Sequence, residues 1–355
     1  MSYATIVRYL SIALTWAVLV DDAEGQAARA QGHVFCWPTP LPVSTDTPWE
    51  SFVQPTASGK PASGLFGNTR SGDTQFHEGL DIRPAKRDKQ GEPTDTVQCV
   101  LAGRVVHIAP VPNGTYGRYV VLEHTEPGLR FYTLHAHLQR VAPTLRLGAT
   151  VPAGTSLGIM GRSDNTRGFP KERAHLHFEV GLRLSSDFNA WYARQGYPEP
   201  NHHGNWNGYN LLGLDPLPFL RTGLSLGRPP SLATMLRNEP TAVAVFISTN
   251  QTPRFIRENT ALLTQRLPAR IAGWRIGFTW YGLPHRWTPL SSPPTQGTGQ
   301  RAMRLVATSD PTLLRKAQIR NLLARTPQKA RKTQALAPGD SLSNTLGMLF
   351  PPTPR

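Results

Sequence analysis

The amino-acid sequence predicts a mainly β protein, with an antiparallel β-sheet domain that contains a groove and a small basic α+β module at the C-terminal end. The 355 residues include 31 glycines and 33 prolines, and charged residues make up only 17% of the chain. This composition is typical of a turn-rich, mostly β protein. Between residues 97 and 180, short segments that alternate apolar and polar residues follow one another without a convincing helical period. Packed antiparallel sheets are the simplest architecture for that pattern.

Residues 1–30 are predicted to be a secretory signal peptide. Arg8 supplies a positive start, residues 10–20 form an apolar run too short to span a bilayer comfortably, and Ala28-Arg29-Ala30 gives an A-x-A cleavage pattern. The alternative is an uncleaved N-terminal anchor. In both cases the rest of the chain lies outside the cytoplasm, in the periplasm or cell envelope, and with cleavage no transmembrane segment remains in the mature protein. Export favours a disulfide between Cys36 and Cys99, and two buried thiols are the alternative.

The next segment that carries chemistry is residues 76–82. His77 and Asp81 stand four positions apart around Gly79. A helix would also bring these two side chains together, but the glycine and the brevity of the run favour extended chain or a tight loop. Beyond it we predict strands at 97–108, 118–124 and 130–141, glycine-marked turns across 148–161, a polar loop at 163–173 and an aromatic loop at 183–214.

Residues 174–180 are the centre of the predicted domain. Leu176, Phe178 and Val180 alternate with His175, His177 and Glu179, so the apolar side chains face a core and the polar ones a groove. Two imidazoles on one side of a strand lie about 7 Å apart along the chain. They can share or flank a metal, although two surface histidines on a strand are also common. Zinc accepts imidazole and carboxylate ligands, and catalytic zinc sites keep one position open for water.

The second part of the chain is strongly basic. Residues 1–215 contain 19 Lys/Arg and 19 Asp/Glu, whereas residues 216–355 contain 19 Lys/Arg and 4 Asp/Glu, so the formal net charge of +15 belongs to the second part. A domain boundary near residue 215 follows. We predict a linker at 216–240, a basic α+β module at 241–330 with strands at 242–247, 271–281 and 303–306 and a helix at 311–325, and a disordered tail at 331–355.

Three segments together resemble the lysostaphin/LytM family of zinc metallopeptidases: FHEGLDIRP, YTLHAHLQRV and AHLHFEV. The resemblance covers roughly residues 50–185 and implies that residues 31–215 form a LytM-like catalytic domain. It implies that zinc (Zn2+) is held by His77, Asp81 and His177, and that His137 and His175 are catalytic.

Three features leave details open. His135 stands where the family has a tyrosine, so it is either a partner of a metal-ligating histidine or a residue without a role. Glu179 either orients a histidine or is solvated. The loop at 163–173 is longer than the family's short turn, which changes one wall of the groove.

The resemblance implies an exported zinc-dependent endopeptidase that hydrolyses peptide cross-links of bacterial peptidoglycan by metal-activated water, at D-alanyl–diaminopimelate bonds. One alternative is a metal-free LytM-like regulator of a wall amidase, but such proteins typically lack a ligand and this chain has all of them. The other is a wall- or polyanion-binding protein that holds anionic glycans through residues 216–355. That basic part either targets the wall or only packs on the catalytic domain. We expect no nucleic acid partner, because the chain is predicted to be exported and carries no recognised nucleic-acid motif.

Overall fold

The computed structural model describes residues 34–164, 168–294, 303–324 and 336–351. The predicted signal peptide at 1–30 lies outside them. Within the described ranges, no helix combines the length and the apolar character needed to cross a membrane.

Short strands dominate the described chain. The strands are β1 (Gly67–Arg70), β2 (Gln75–His77), β3 (Leu80–Ile82), β4 (Thr96–Gln98), β5 (Gly103–Ala109), β6 (Tyr119–Glu126), β7 (Leu129–Ala136), β8 (Arg140–Val141), β9 (Thr150–Val151), β10 (Ser156–Ile159), β11 (Leu176–Arg183), β12 (Leu211–Leu214), β13 (Val243–Ser248), β14 (Gly273–Phe278), β15 (Pro284–Leu290) and β16 (Met303–Ala307). The α-helices are α1 (Phe188–Arg194), α2 (Pro216–Leu226), α3 (Leu232–Asn238), α4 (Arg254–Glu258), α5 (Pro311–Ile319) and α6 (Asp340–Leu349).

The strands pair antiparallel in four sheets. The largest has the order β12-β11-β7-β6-β5-β9, and β3 also pairs with β11; the others are β1-β2, β4-β10-β8 and β15-β14-β13-β16. Since β7 lies on one edge of β11, strands β3 and β12 share the opposite edge. The predicted mainly β, antiparallel fold is confirmed.

The position of β11 follows from its alternating sequence. Leu176, Phe178 and Val180 are fully buried in the main core, as the apolar half of the pattern predicts. His177 faces the other way and pairs in register with Asp81 of β3 and Ala136 of β7. The central strand therefore places one histidine between two neighbouring strands at the end of the sheet.

The prediction of a linker at 216–240 is wrong, because this range contains α2 and α3. Asp215 caps α2 by accepting a hydrogen bond from Leu217 N, and Pro216 occupies the first turn. A proline is well tolerated there, so the proline-rich sequence starts a helix instead of marking a flexible segment. Phe219 of α2 is fully buried and packs edge-on against Phe35 and Phe131. The two parts of the chain consequently share one hydrophobic core.

Two other predicted irregular regions contain regular structure. The prediction of a disordered tail at 331–355 is wrong for residues 340–349, which form α6 with Leu342 and Leu349 buried. The apolar face of α6 packs against residues that are distant in the sequence, so the sequence of this segment alone does not predict the helix. The range 183–214, predicted as a loop, contains α1 and β12, and β12 extends the sheet beside β11.

The two cysteines are free in the structure. Cys99 is buried and its thiol donates to Leu101 O, whereas Cys36 is half-buried. The disulfide favoured by the sequence is therefore not formed, although Cys36 N donates to Val100 O and the two segments are adjacent.

Candidate metal centre

Three buried side chains from three strands point to one place. His77 ends β2, Asp81 lies in β3 and His177 lies in β11. His77 Nε2 is 3.1 Å from His177 Nδ1 and 3.1 Å from Asp81 Oδ1, and His177 Nδ1 is 3.0 Å from Asp81 Oδ1. Ligand atoms bound at about 2.0–2.1 Å to a tetrahedral zinc ion stand about 3.3 Å apart. Among the described residues, this is the group of histidine, cysteine and acidic side chains that could hold a metal ion.

Hydrogen bonds orient both imidazoles for coordination. His77 Nδ1 donates to Leu65 O at 2.9 Å, which leaves the Nε2 lone pair facing the centre. His177 Nε2 donates to Glu179 Oε1 at 2.9 Å, which leaves the Nδ1 lone pair facing the centre. A hydrogen bond at the distal nitrogen fixes the tautomer and the ring plane of a metal-ligating histidine. The protein thus provides the orientation before any ion binds.

Both carboxylate oxygens of Asp81 contact basic side chains. Oδ1 faces the three histidine nitrogens, and Oδ2 accepts a 2.6 Å hydrogen bond from Arg70 Nη2. Burial opposes ionisation, but the neighbouring His175 and His77 hold the pKa of Asp81 well below its ordinary value. The carboxylate is therefore ionised and presents a single oxygen to the centre.

Glu179 is a buried carboxylate that supports His177. It is 1% exposed, and besides His177 it accepts hydrogen bonds from Tyr116 Oη at 2.5 Å and Tyr132 Oη at 2.9 Å. Burial, and then the Glu179 charge, raise the pKa of both tyrosines, so both phenols stay protonated as donors. Burial lowers the pKa of His177, but the hydrogen bonds to Asp81 and Glu179 outweigh it and raise that pKa to about 9 without a metal, so Nδ1 gives up a proton when it coordinates an ion.

His137 and His175 flank the three converging side chains. Each donates its Nδ1 hydrogen to a backbone oxygen, His137 to Ser163 O at 2.9 Å and His175 to Arg173 O at 2.6 Å, so Nε2 is the nitrogen of each ring that the backbone does not occupy. Their ring centroids are 4.8 Å apart, and His175 Nε2 lies 3.3 Å from Asp81 Oδ1. Burial, followed by the nearby His175 and His177, lowers the pKa of His137 well below its usual value. His137 is accordingly neutral.

His135 does not belong to this cluster, so of the two alternatives for this residue the structure does not form the partnership with a metal-ligating histidine. In the β7–β11 register it pairs with Phe178, on the opposite face from His177, and its ring lies 5.2 Å from the Phe178 ring. Burial is the main cause that lowers the pKa of His135 to about 3. In a strand that continued regularly, His135 and His137 would share a face, but β7 ends at Ala136 and His137 has a φ of 62°. That left-handed turn brings His137 to the other face.

Several residues around the centre have no signal in the sequence pattern. Arg70, Tyr116 and Phe169 line its cavity of about 310 Å³. Phe169 stacks on His175 with the centroids 5.0 Å apart, and it contacts His137 edge-on at 4.9 Å. Phe169 and Tyr116 lie outside the strands, where no periodicity signals a contact. Tyr132 is on β7, on the same face as Glu179, and strand alternation could have indicated it.

Gly79 makes the close approach between β2 and β11 possible. A Cβ atom there would stand 2.5 Å from Phe178 O and 2.9 Å from His177 Cε1, distances too short for any side chain. A glycine is therefore required between His77 and Asp81, because the imidazole ring of His177 leaves no room for a Cβ atom.

A comparison with protein families matches residues 75–188 to Peptidase family M23. The matched segment runs from β2 to the first residue of α1 and includes the three converging residues His77, Asp81 and His177 together with His137 and His175. The chain carries a peptidase family M23 domain. A comparison with curated proteins gives no match.

Among solved structures, the M23-containing chain is similar to the catalytic domain of lysostaphin from Staphylococcus simulans, with 20% identity, coverage of 44% of this chain and 87% of that one, and a TM-score of 0.27. It is similar to a putative glycyl-glycine endopeptidase LytM from Ruminococcus gnavus, with 24% identity, coverage of 59% and 67%, and a TM-score of 0.32. Lysostaphin itself matches with 14% identity, coverage of 77% and 99%, and a TM-score of 0.31.

Proposed function

We propose that this protein is an exported zinc-dependent endopeptidase that hydrolyses peptide cross-links of bacterial peptidoglycan. The observation that carries the proposal is the convergence of His77 Nε2, Asp81 Oδ1 and His177 Nδ1 within 3.0–3.1 Å of one another. Two further histidines, each with Nδ1 held by a backbone oxygen, stand beside that convergence. The M23 domain supports a peptidase, and the signal-like pattern of residues 1–30 supports export.

Zinc fits the three converging side chains. Two imidazoles and one carboxylate are a common ligand set of catalytic zinc, and the nitrogen and oxygen separations are close to the edge of a zinc tetrahedron. His77, Asp81 and His177 would hold the ion and leave one position facing the cavity. When bound, zinc supplies a Lewis acid for the scissile carbonyl and lowers the pKa of water.

The protein's own contribution is proton transfer and charge stabilisation. His175, with Nδ1–H fixed on Arg173 O, presents Nε2 as the base that accepts the proton of the attacking water. His137, neutral and fixed on Ser163 O, is placed to hydrogen-bond the oxygen that becomes negative as the amide carbonyl turns tetrahedral. The proton then passes to the leaving nitrogen as the C–N bond breaks. Phe169, which contacts both rings, restricts their rotation and excludes water from one side.

Mass spectrometry of muropeptides tests this function. Purified sacculi are treated with the zinc-loaded protein, and we expect cross-linked dimers to disappear with cleavage at the D-alanyl–diaminopimelate bond while the glycan strands stay intact. The His77→Ala variant is the control. Sacculi left unchanged, under conditions where a known peptidoglycan hydrolase releases fragments, would contradict the proposal. Measuring the bound zinc in the same samples also separates a hydrolase from a metal-free regulator of an amidase, because a regulator needs no bound zinc.

A second proposed role belongs to the basic residues after residue 215. Their excess of 19 Lys/Arg over 4 Asp/Glu supports binding of anionic wall glycans. Deletion cannot test this, because Phe219 and Leu220 of α2 are part of the core. Neutralising exposed arginines can. The test variant changes Arg228, Arg266 and Arg270 to Gln, and the control changes the exposed Lys60, Lys86 and Lys89 to Gln.

We expect the arginine variant to bind sacculi more weakly at low salt and the difference from wild type to vanish near 1 M salt, where the screening length is about 3 Å. Equal weakening by the lysine control would show that the second part has no special role, and packing on the catalytic domain would then be its function.

A further inference from the structure

A second cavity adjoins the metal centre and reaches the C-terminal part of the chain. It has a volume of about 550 Å³, and Glu78, Thr115 and Tyr116 line both it and the cavity of the metal centre. Its opposite wall includes Arg320, which follows α5, and Asn344 of α6. These two residues lie outside the matched M23 segment. The C-terminal part therefore builds one side of a depression that continues from the candidate active site.

Arg320 is the unusual group in this cavity. Its guanidinium carbon lies 4.2 Å from the centroid of Phe76, the neighbour of His77 in β2. Its Nε is buried and has no hydrogen-bond partner among the residues that the structure describes. Burial lowers the pKa of Arg320, while the charge of Glu78 acts in the opposite direction. Arg320 as a whole is half-buried. A buried Nε without a partner is costly to maintain, and planar oxyanions are the ligands that match the donors of a guanidinium.

We propose that Arg320 binds a free carboxylate of the peptide substrate, on the residue that supplies the scissile nitrogen. This inference rests on the proposed peptidoglycan cleavage. Diaminopimelate has two α-carbons, and each of them carries an amine and a carboxylate. When one amine is acylated in a cross-link, the carboxylate on the same carbon stays free, next to the scissile bond.

The cavity suits a carboxylate better than a phosphate. Glu78 lines the same space as Arg320, so this pair of opposite charges is neutral before a ligand binds. A monoanion leaves one net negative charge, whereas a dianionic phosphate would add a second charge beside Glu78. Ser341 and Asn344 also line the cavity and add neutral polar groups. After cleavage, Glu78 lies on the same wall as the centre and is suited to face the released ammonium group.

Two cross-linked muropeptide dimers test the assignment. They differ only at the acylated diaminopimelyl residue, which carries either a free carboxylate or a carboxamide. We expect wild type to cleave the carboxylate dimer with a kcat/KM about 30-fold higher, as expected for hydrogen bonds to a charged group. In Arg320→Met this preference should fall to within about threefold, through loss of the carboxylate dimer's rate and little change in the carboxamide's. The control is Arg315→Met, which changes an exposed arginine of α5, the helix that Arg320 follows, and which should keep the preference.

The outcomes separate the two levels of the proposal. Wild type that cleaves both dimers equally, or Arg320→Met that slows both by the same factor, would overturn the carboxylate site and leave the endopeptidase function standing. Wild type that cleaves neither dimer would contradict the function itself and with it this assignment. If the methionine variant is unstable, Arg320→Lys provides the same test. It keeps the positive charge above Phe76 but lacks the Nε donor, so the preference should still fall about tenfold.

Discussion

Substituting Glu179 with glutamine tests how the structure prepares His177 for metal binding. Glu179 is 1% exposed and accepts hydrogen bonds from His177, Tyr116 and Tyr132. Glutamine has the same shape but only one oxygen, and its amide nitrogen is a donor. If the amide nitrogen replaces Oε2, it meets the Tyr132 donor; if it replaces Oε1, it meets the donors of both Tyr116 and His177. In either orientation the remaining contacts lose their charge assistance.

The magnitude follows from those contacts. A hydrogen bond to a charged group contributes about 1.5–3 kcal/mol and a neutral one about 1 kcal/mol. Losing the charge at the His177 contact therefore removes about 1–2 kcal/mol of the free energy that holds the His177 ring in its orientation. Disorder of Tyr116 and Tyr132 adds to that loss. Since 1.4 kcal/mol corresponds to about a tenfold change in affinity, Glu179→Gln should bind zinc about 10- to 100-fold more weakly, the range found for partners of metal-ligating histidines.

The assay is a competition titration of zinc against a chromophoric chelator, with circular dichroism to verify folding. Glu123→Gln is the matched control, because Glu123 lies on β6, which β7 separates from β11, and is only partly buried and away from the cavity of the centre. A folded Glu179→Gln protein whose zinc affinity stays within twofold of wild type would show that the carboxylate does not position His177.

Three other predictions concern the histidines and the glycine of the site and the buried histidines elsewhere. His137→Ala and His175→Ala should each retain zinc but lose about 10²- to 10⁴-fold in kcat/KM, measured on the same protein samples; zinc loss as large as that of a ligand variant would refute the division of roles. Gly79→Ala should lower the free energy of unfolding by about 1–3 kcal/mol in a urea titration, because its Cβ would meet Phe178 O and the His177 ring, and unchanged stability would mean that the backbone moves freely there. Burial lowers the pKa of His124 and of His285 to about 4, below the unfolded value of about 6.5, so the unfolded chain binds more protons between these values and stability should fall as the pH drops from about 6.5 to 4, by up to about 3 kcal/mol for each histidine; His285→Gln should reduce that loss in urea titrations at the two pH values, and an unchanged loss would show that His285 is not responsible.

The strands and their histidines could be predicted because alternation is a local property. Residues 174–180 alternate strictly, and the structure places Phe178 in the core and His177 on the opposite face. The same rule failed at His135 because one backbone turn, at the left-handed His137, ends the alternation. Sequence periodicity carries no sign of where a strand stops within a residue or two.

Contacts between distant segments could not be predicted from local pattern. Arg70, Tyr116 and Phe169 reach the centre from separate parts of the chain, and only the folded sheet brings them together. The strand β15 was missed because Pro284 and Pro289 argue against a strand. As an edge strand of its sheet, β15 tolerates prolines without losing internal hydrogen bonds. The helix α2 was missed for a related reason, since its prolines resemble a linker until the Asp215 cap is seen.

The most direct test of the central claim is native mass spectrometry of the protein with one equivalent of zinc. Wild type and His175→Ala should each retain one zinc ion per chain, whereas His77→Ala, Asp81→Ala and His177→Ala should retain none. Wild type without zinc, or an Asp81→Ala protein that still holds one ion per chain, would contradict the conclusion that these three side chains form a metal centre.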